Sequence, residues 1–182
     1  MKRNRLLNNM IFASLFIALA FVLPFLTGQI PEIGSMLCPM HIPILICGFI
    51  CGWKWGLLVG LVSPLLRSLI LGMPTLFPTA ICMAIELGVY GLLTGIFYNI
   101  LPKKKIWIYL SLIISMIIGR IVWGFVMLVV MNITGDVFTF NMFIASTIIN
   151  SLPGIILQII LVPILVMLLE KVEIVKKSLI KR

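Results

Sequence analysis

Arg67, Arg120 and Glu86 lie inside long apolar runs, whereas every other Lys and Arg of the chain's fourteen falls in a gap between such runs. A charge at hydrocarbon depth is costly, so intramembrane ionisable residues face a cavity or a partner and mark functional positions. Guanidinium groups carry paired N–H donors that fit a carboxylate in bidentate geometry. Two such cations against one acid leave a surplus positive charge, which an anionic or carboxylate-bearing ligand would neutralise. Tyr90 stands one helical turn from Glu86 on the same face, and His41, Glu32 and Asn150 fall at comparable depth. The candidate substrate-binding residues are therefore Arg67, Glu86, Arg120, Asn150, His41 and Tyr90. A plainer arrangement would have Glu86 neutralise one arginine while the other bonds to backbone carbonyls freed near Pro153 or Gly72; the charge surplus favours a ligand.

Other chemistries lack their residues. Cys38, Cys47, Cys51 and Cys82 have only His41 as a possible companion ligand, which does not complete a tetrahedral metal set, and they read as small apolar packing residues. There is no phosphate-binding Gly-rich loop ending in Lys-Ser or Lys-Thr, no helical His-Glu metal motif and no Gly-x-Ser-x-Gly elbow. The expectation is a non-enzymatic protein without cofactor or metal, and any ATP-driven step requires another chain.

The elements that must position these residues are membrane spans. A chain of 182 residues that is 62% hydrophobic and 10% charged has too few polar residues to cover a soluble surface. The net charge of +9 comes from short basic clusters beside apolar spans, a pattern of anchoring to anionic lipid and not of nucleic-acid binding. The whole chain, 1–182, reads as one transmembrane domain. Its first span, about Leu6 to Thr27, follows the basic start Lys2, Arg3 and Arg5. Although Ala18-Leu19-Ala20 imitates a cleavage site, the apolar run continues to Leu26, so the span is expected to be retained.

Ile42 to Leu66 decides the helix count. Read as one span, it would send Lys103-Lys104-Lys105 and the basic tail to the side opposite the N-terminus, which the positive-inside asymmetry rejects. Read as two spans turning at Gly52-Trp53-Lys54-Trp55-Gly56, it gathers every basic cluster on the cytoplasmic side and places both termini there. The later spans are then about Lys54 to Leu71, Phe77 to Leu101, Ile106 to Met131 and Asn141 to Leu169, with outer connections Gly28 to Met40, Gly72 to Leu76 and Asn132 to Phe140. The predicted fold is an all-α integral membrane bundle of six transmembrane helices in the plasma membrane.

Two spans are irregular. The second, His41 to Cys51, covers roughly 16 Å of a core about 30 Å thick. The preceding loop, with Pro31, Gly34, Pro39 and Pro43, is expected to dip into the outer half, as irregular backbone does only where it is protein-covered or lines a wet cavity. In the sixth span, Asn150-Ser151-Leu152-Pro153-Gly154 should interrupt the helix, because Pro153 lacks an amide donor. Gln158 reads as helix glue. Ser14 and Ala18 form a small-xxx-small pair in the first span, and Gly48, Gly52, Gly56 and Gly60 repeat at intervals of four, a spacing that lets another helix approach closely.

Together these features resemble the substrate-binding S component of an energy-coupling factor (ECF) transporter. The likeness is carried by the basic start, the small-xxx-small first span, the proline-bearing first outer loop, Met40-His41-Ile42-Pro43 through Cys47-Gly48-Phe49, Pro64-Leu65-Leu66-Arg67-Ser68, Gly72-Met73-Pro74, Phe77-Pro78-Thr79-Ala80, Glu86 and the break from Asn150 to Gly154. It implies a six-helix fold with a vitamin or related micronutrient bound near the outer face, covered by the first outer loop and the third. It also implies docking onto a transmembrane coupling subunit with two ATPase subunits, and toppling of the loaded subunit in the bilayer to release cargo inside. In that family an Ala-x-x-x-Ala pair in the first span contacts the coupling subunit; here the pair is Ser14 and Ala18. The surplus cation suits a carboxylate vitamin, with pantothenate ahead of nicotinate or a flavin.

Two other functions fit the sequence less well. An autonomous secondary carrier or channel would be expected to show two related halves with matching discontinuous helices, whereas only the sixth span has a Pro-Gly break. An intramembrane enzyme lacks a nucleophile paired with a base, and a membrane scaffold has no distinguishing motif.

Overall fold

The computed structural model describes residues 2–27, 30, 34, 36–102, 104–135, 139–146 and 150–171. The described residues form helices and turns, with no strand among them. Helix α1 (Lys2–Val22) continues into a 3-10 turn, Leu23–Thr27, whose Pro24 cannot extend the α-helical ladder. Helix α2 (His41–Cys51) is followed by α3 (Trp53–Leu71), an irregular turn (Leu76–Ala80), α4 (Ile81–Ile100), α5 (Lys105–Thr134), the short α6 (Phe140–Ile144) and α7 (Leu152–Glu170). Counting the first span as Leu6–Leu26 and the fourth as Leu76–Ile100, five stretches among the described residues are long and apolar enough to cross a membrane, and α2 is a shorter apolar helix.

Where the chain differs from the spans read in the sequence, backbone chemistry gives the reason. The turn between the second and third spans shrinks to one residue, Gly52, at φ 94° and ψ 173°, conformational space open to glycine and closed to most side chains. Helix α5 runs on to Thr134 and stops at Gly135, whose φ of 83° is left-handed, so the third outer connection is shorter than Asn132 to Phe140. The sixth span divides as expected, with Asn150 and Ser151 in a turn between α6 and α7 and Pro153 in the first turn of α7, where its missing donor costs nothing.

All eleven residues of α2 are buried, and it packs against α1, α3, α4 and α7. Among the described residues this short helix is therefore the centre of the bundle. Helices α3 and α4 approach closely: Gly56 and Gly91 face each other with no room for a Cβ on either, and a Cβ on Gly60 would collide with the Leu87 backbone. The glycine repeat thus serves packing within the chain. At the opposite end from the first outer loop, Tyr98 of α4 donates to the Glu170 carboxylate of α7. Large aliphatic side chains cover the outside, including Ile11, Leu15, Ile117, Ile121 and Ile160. An all-round apolar exterior of this kind suits lipid as solvent.

Candidate ligand-binding site

Because α2 is too short to reach the end of the bundle that carries residues 36–40 and 72–76, a space remains above its first residue. There the structure holds a cavity of about 590 Å³, within the size range of small-molecule sites. His41 lines it from the start of α2, Arg67 from the last turns of α3, Glu86 from α4, Arg120 from α5 and Asn150 from the break before α7. Tyr90 does not line the cavity; it stands beneath Glu86.

The polar groups converge on one oxygen. Tyr90 donates its hydroxyl to Glu86 Oε1 at 2.8 Å, the i to i+4 contact that helical spacing requires. Arg120 Nε lies 3.4 Å from the same oxygen, close enough for a charge pair but without the geometry of a hydrogen bond. His41 Nε2 lies 3.9 Å from it, and neither ring nitrogen of His41 has a hydrogen-bond partner among the described residues. All of this is deep: Glu86 and His41 are each 2% exposed and Tyr90 is fully covered. The Tyr90 ring has space because residue 119 of α5 is glycine; a Cβ there would collide with the ring.

Arg67 stands apart from this cluster. It is 4% exposed, donates from Nη1 to the Phe21 carbonyl at 2.8 Å, and lies over the Phe25 ring at 5.5 Å. The backbone acceptor is thus supplied where α1 gives way to its 3-10 turn, and not near Pro153 or Gly72. Among the described residues no carboxylate pairs with Arg67. Glu32, which the sequence places at similar depth, lies outside the described residues.

The first outer loop closes one wall. Gly34, Cys38, Pro39 and Met40 line the cavity, and the loop backbone sits so close to α7 that a Cβ on Gly154 would stand 2.6 Å from the Met36 carbonyl oxygen. Gly154 is therefore a seat for the loop as well as part of the helix break. Cys38 holds a left-handed φ of 46°, and Arg120 Nη2 donates to its sulfur at 3.9 Å. Burial pushes the Cys38 thiol above the ordinary cysteine range, against the pull of Arg120, so it stays neutral at physiological pH. Gly72, Met73, Pro74 and Thr75 close a second wall. Gly135 and Thr139, the described residues of the third outer connection, do not line the cavity, so among the described residues its cover comes from the first and second outer connections.

Residues 8–166 match the family described as ECF transporter, substrate-specific component. The chain belongs to this family. As an ECF substrate-specific component it is a multi-pass membrane subunit of a transporter, with a small-molecule substrate and coupling and ATPase partners implied by membership. Comparison with curated proteins and with solved structures found no significant match.

In this ECF subunit the cavity also uses residues that sequence reading passed over. Thr79 and Met83 fall seven and three positions before Glu86, and Trp123 falls three after Arg120, so helical periodicity around the charged residues would have found them. Cys38 carried no such signal, since its position depends on an irregular loop. Cys47, Cys51 and Cys82 are buried in helices, as small packing residues are. Gln158 is fully buried away from the cavity, and neither amide atom has a partner among the described residues, so helix glue is not visible in its hydrogen bonds.

Proposed function

We propose that this subunit captures a carboxylate-bearing vitamin or related micronutrient from the outer face of the plasma membrane and hands it to a separate coupling subunit driven by two ATPase subunits. The observation that carries the reading is the charge of the cavity: among the described residues, two guanidiniums and one carboxylate line it. Arg67, Glu86, Arg120, Asn150, His41 and Tyr90 form the substrate-binding group, in which Arg120, Glu86 and Tyr90 act as one linked cluster. Pantothenate leads the candidates because a flexible carboxylate with hydroxyl groups suits a cavity that is mostly apolar with polar groups at two depths. Both termini are cytoplasmic in this reading, which follows from the distribution of basic clusters.

Ser14 and Ala18 support the docking part of the proposal. Both are exposed on α1, flanked by Ile11, Leu15 and Val22. The serine hydroxyl donates to the Met10 carbonyl at 2.9 Å, so it brings no unmet hydrogen bond to an apolar interface and replaces alanine at small steric cost.

Reconstitution tests the reading. Liposomes holding this chain together with a coupling subunit and ATPases should accumulate labelled pantothenate when ATP is supplied, and liposomes holding the chain alone should not. Gradient-driven accumulation by the chain alone would instead support an autonomous carrier.

A further inference from the structure

We infer that the two arginines have separate duties: Arg67 takes the ligand's carboxylate, Arg120 is a positioning residue held by Glu86, and His41 reads a hydroxyl at the ligand's other end. This rests on the carboxylate-capture reading above and divides its labour among residues.

Arg120 already has a countercharge, although its Nε makes no hydrogen bond among the described residues. Its Nε lies 3.4 Å from Glu86 Oε1, and that oxygen also accepts the Tyr90 hydroxyl at 2.8 Å. A second carboxylate drawn to the same guanidinium would stand beside Glu86, and two like charges sharing a buried site repel. Among the described residues no carboxylate stands beside Arg67. The Phe21 carbonyl and the Phe25 ring fix its direction without cancelling its charge. It faces the cavity beside the Gly72–Thr75 wall, about one turn from the end of α3.

His41 supplies the second pole. Its ring is 2% exposed, lines the cavity, and leaves both nitrogens without a hydrogen-bond partner among the described residues. Native proteins seldom leave buried polar groups unmet, because each costs the full desolvation of that group. An imidazole ring can donate from one nitrogen and accept at the other, and a hydroxyl is the simplest group that can answer either. Met83 and Trp123 line the same cavity from α4 and α5 and suit an apolar portion. The ligand class that follows is a monoanion with a carboxylate at one end, a hydroxyl at the other and apolar carbon between.

Equilibrium binding to the purified full chain tests this with matched probes: pantothenate against its alcohol analogue pantothenol, and nicotinate against nicotinamide as a pair without an aliphatic hydroxyl. The wild-type chain should prefer pantothenate to pantothenol by about 10- to 100-fold, the range for losing a charge-assisted hydrogen bond. Arg67→Gln should bring the two probes within about threefold by weakening pantothenate alone; Arg67→Lys, kept as a milder variant, should lower the preference partway. The paired variant Glu86→Gln with Arg120→Gln should keep the preference. His41→Phe should weaken both hydroxyl-bearing probes by a similar factor, roughly tenfold, and leave their ratio alone. Preference retained in both Arg67 variants, or lost in the Glu86/Arg120 pair, overturns the division between the arginines. Unchanged pantothenate binding in His41→Phe, or wild-type binding of nicotinate at least as tight as pantothenate, overturns the second pole. Absence of any carboxylate preference in the wild-type chain overturns the capture reading itself.

Discussion

Glu86 sets the state of its neighbours, because one of its oxygens is the acceptor for Tyr90 and the countercharge for Arg120. Removing one member of a buried pair leaves the other uncompensated, which costs on the order of 3 kcal/mol. Glu86→Gln should therefore lower the thermal unfolding midpoint of the detergent-purified chain markedly, while Glu86→Gln combined with Arg120→Gln should recover part of the loss. A double variant no more stable than the single one would show that the pair does not couple. Tyr90→Phe removes only a hydroxyl whose partner keeps Arg120, and intramembrane hydrogen bonds are modest, so its cost should be about 1 kcal/mol by the same measurement. The charged residues of this group were legible in the sequence because ionisable side chains inside apolar runs are few. The unequal environments of Arg67 and Arg120 were not legible, since they depend on a Phe21 carbonyl released where α1 changes its helix type.

At the level of elements, the cavity exists because α2 stops short and an irregular loop stands where a regular span would continue. Both facts follow from the eleven-residue length of His41–Cys51 and from the prolines before it. What the sequence did not disclose is how the loop is held. Its backbone rests on Gly154, where a Cβ would stand 2.6 Å from the Met36 carbonyl oxygen. Gly154→Leu should push the loop off α7, weakening substrate binding at least tenfold while changing the unfolding midpoint little; unaltered binding would show that the loop does not depend on this seat. The same reasoning applies to Gly119, whose missing side chain gives Tyr90 its place. The one-residue turn at Gly52 was also hidden, because Trp53, Lys54 and Trp55 read equally well as an interfacial turn and as the first turn of a helix.

For the molecule as a whole, family membership and an apolar exterior make this a membrane subunit that works with others. Ser14 and Ala18 are exposed on α1, and under the proposed docking a partner helix packs over them only while both stay small. Ala18→Trp should abolish ATP-driven uptake in vesicles containing the complete transporter and leave binding by the isolated chain unchanged; normal uptake would move the docking surface elsewhere. Selection of a carboxylate by surplus positive charge in a buried cavity is what the proposed function depends on. Its most direct measurement is thermal stabilisation of the wild-type chain by carboxylate vitamins and by their neutral amide or alcohol counterparts, since a ligand that binds only the folded state at 100 times its dissociation constant adds about 2.7 kcal/mol. At least one carboxylate should raise the unfolding midpoint, and its neutral counterpart at equal concentration should do so far less. Equal stabilisation by both members, or none by any carboxylate, would contradict that selection.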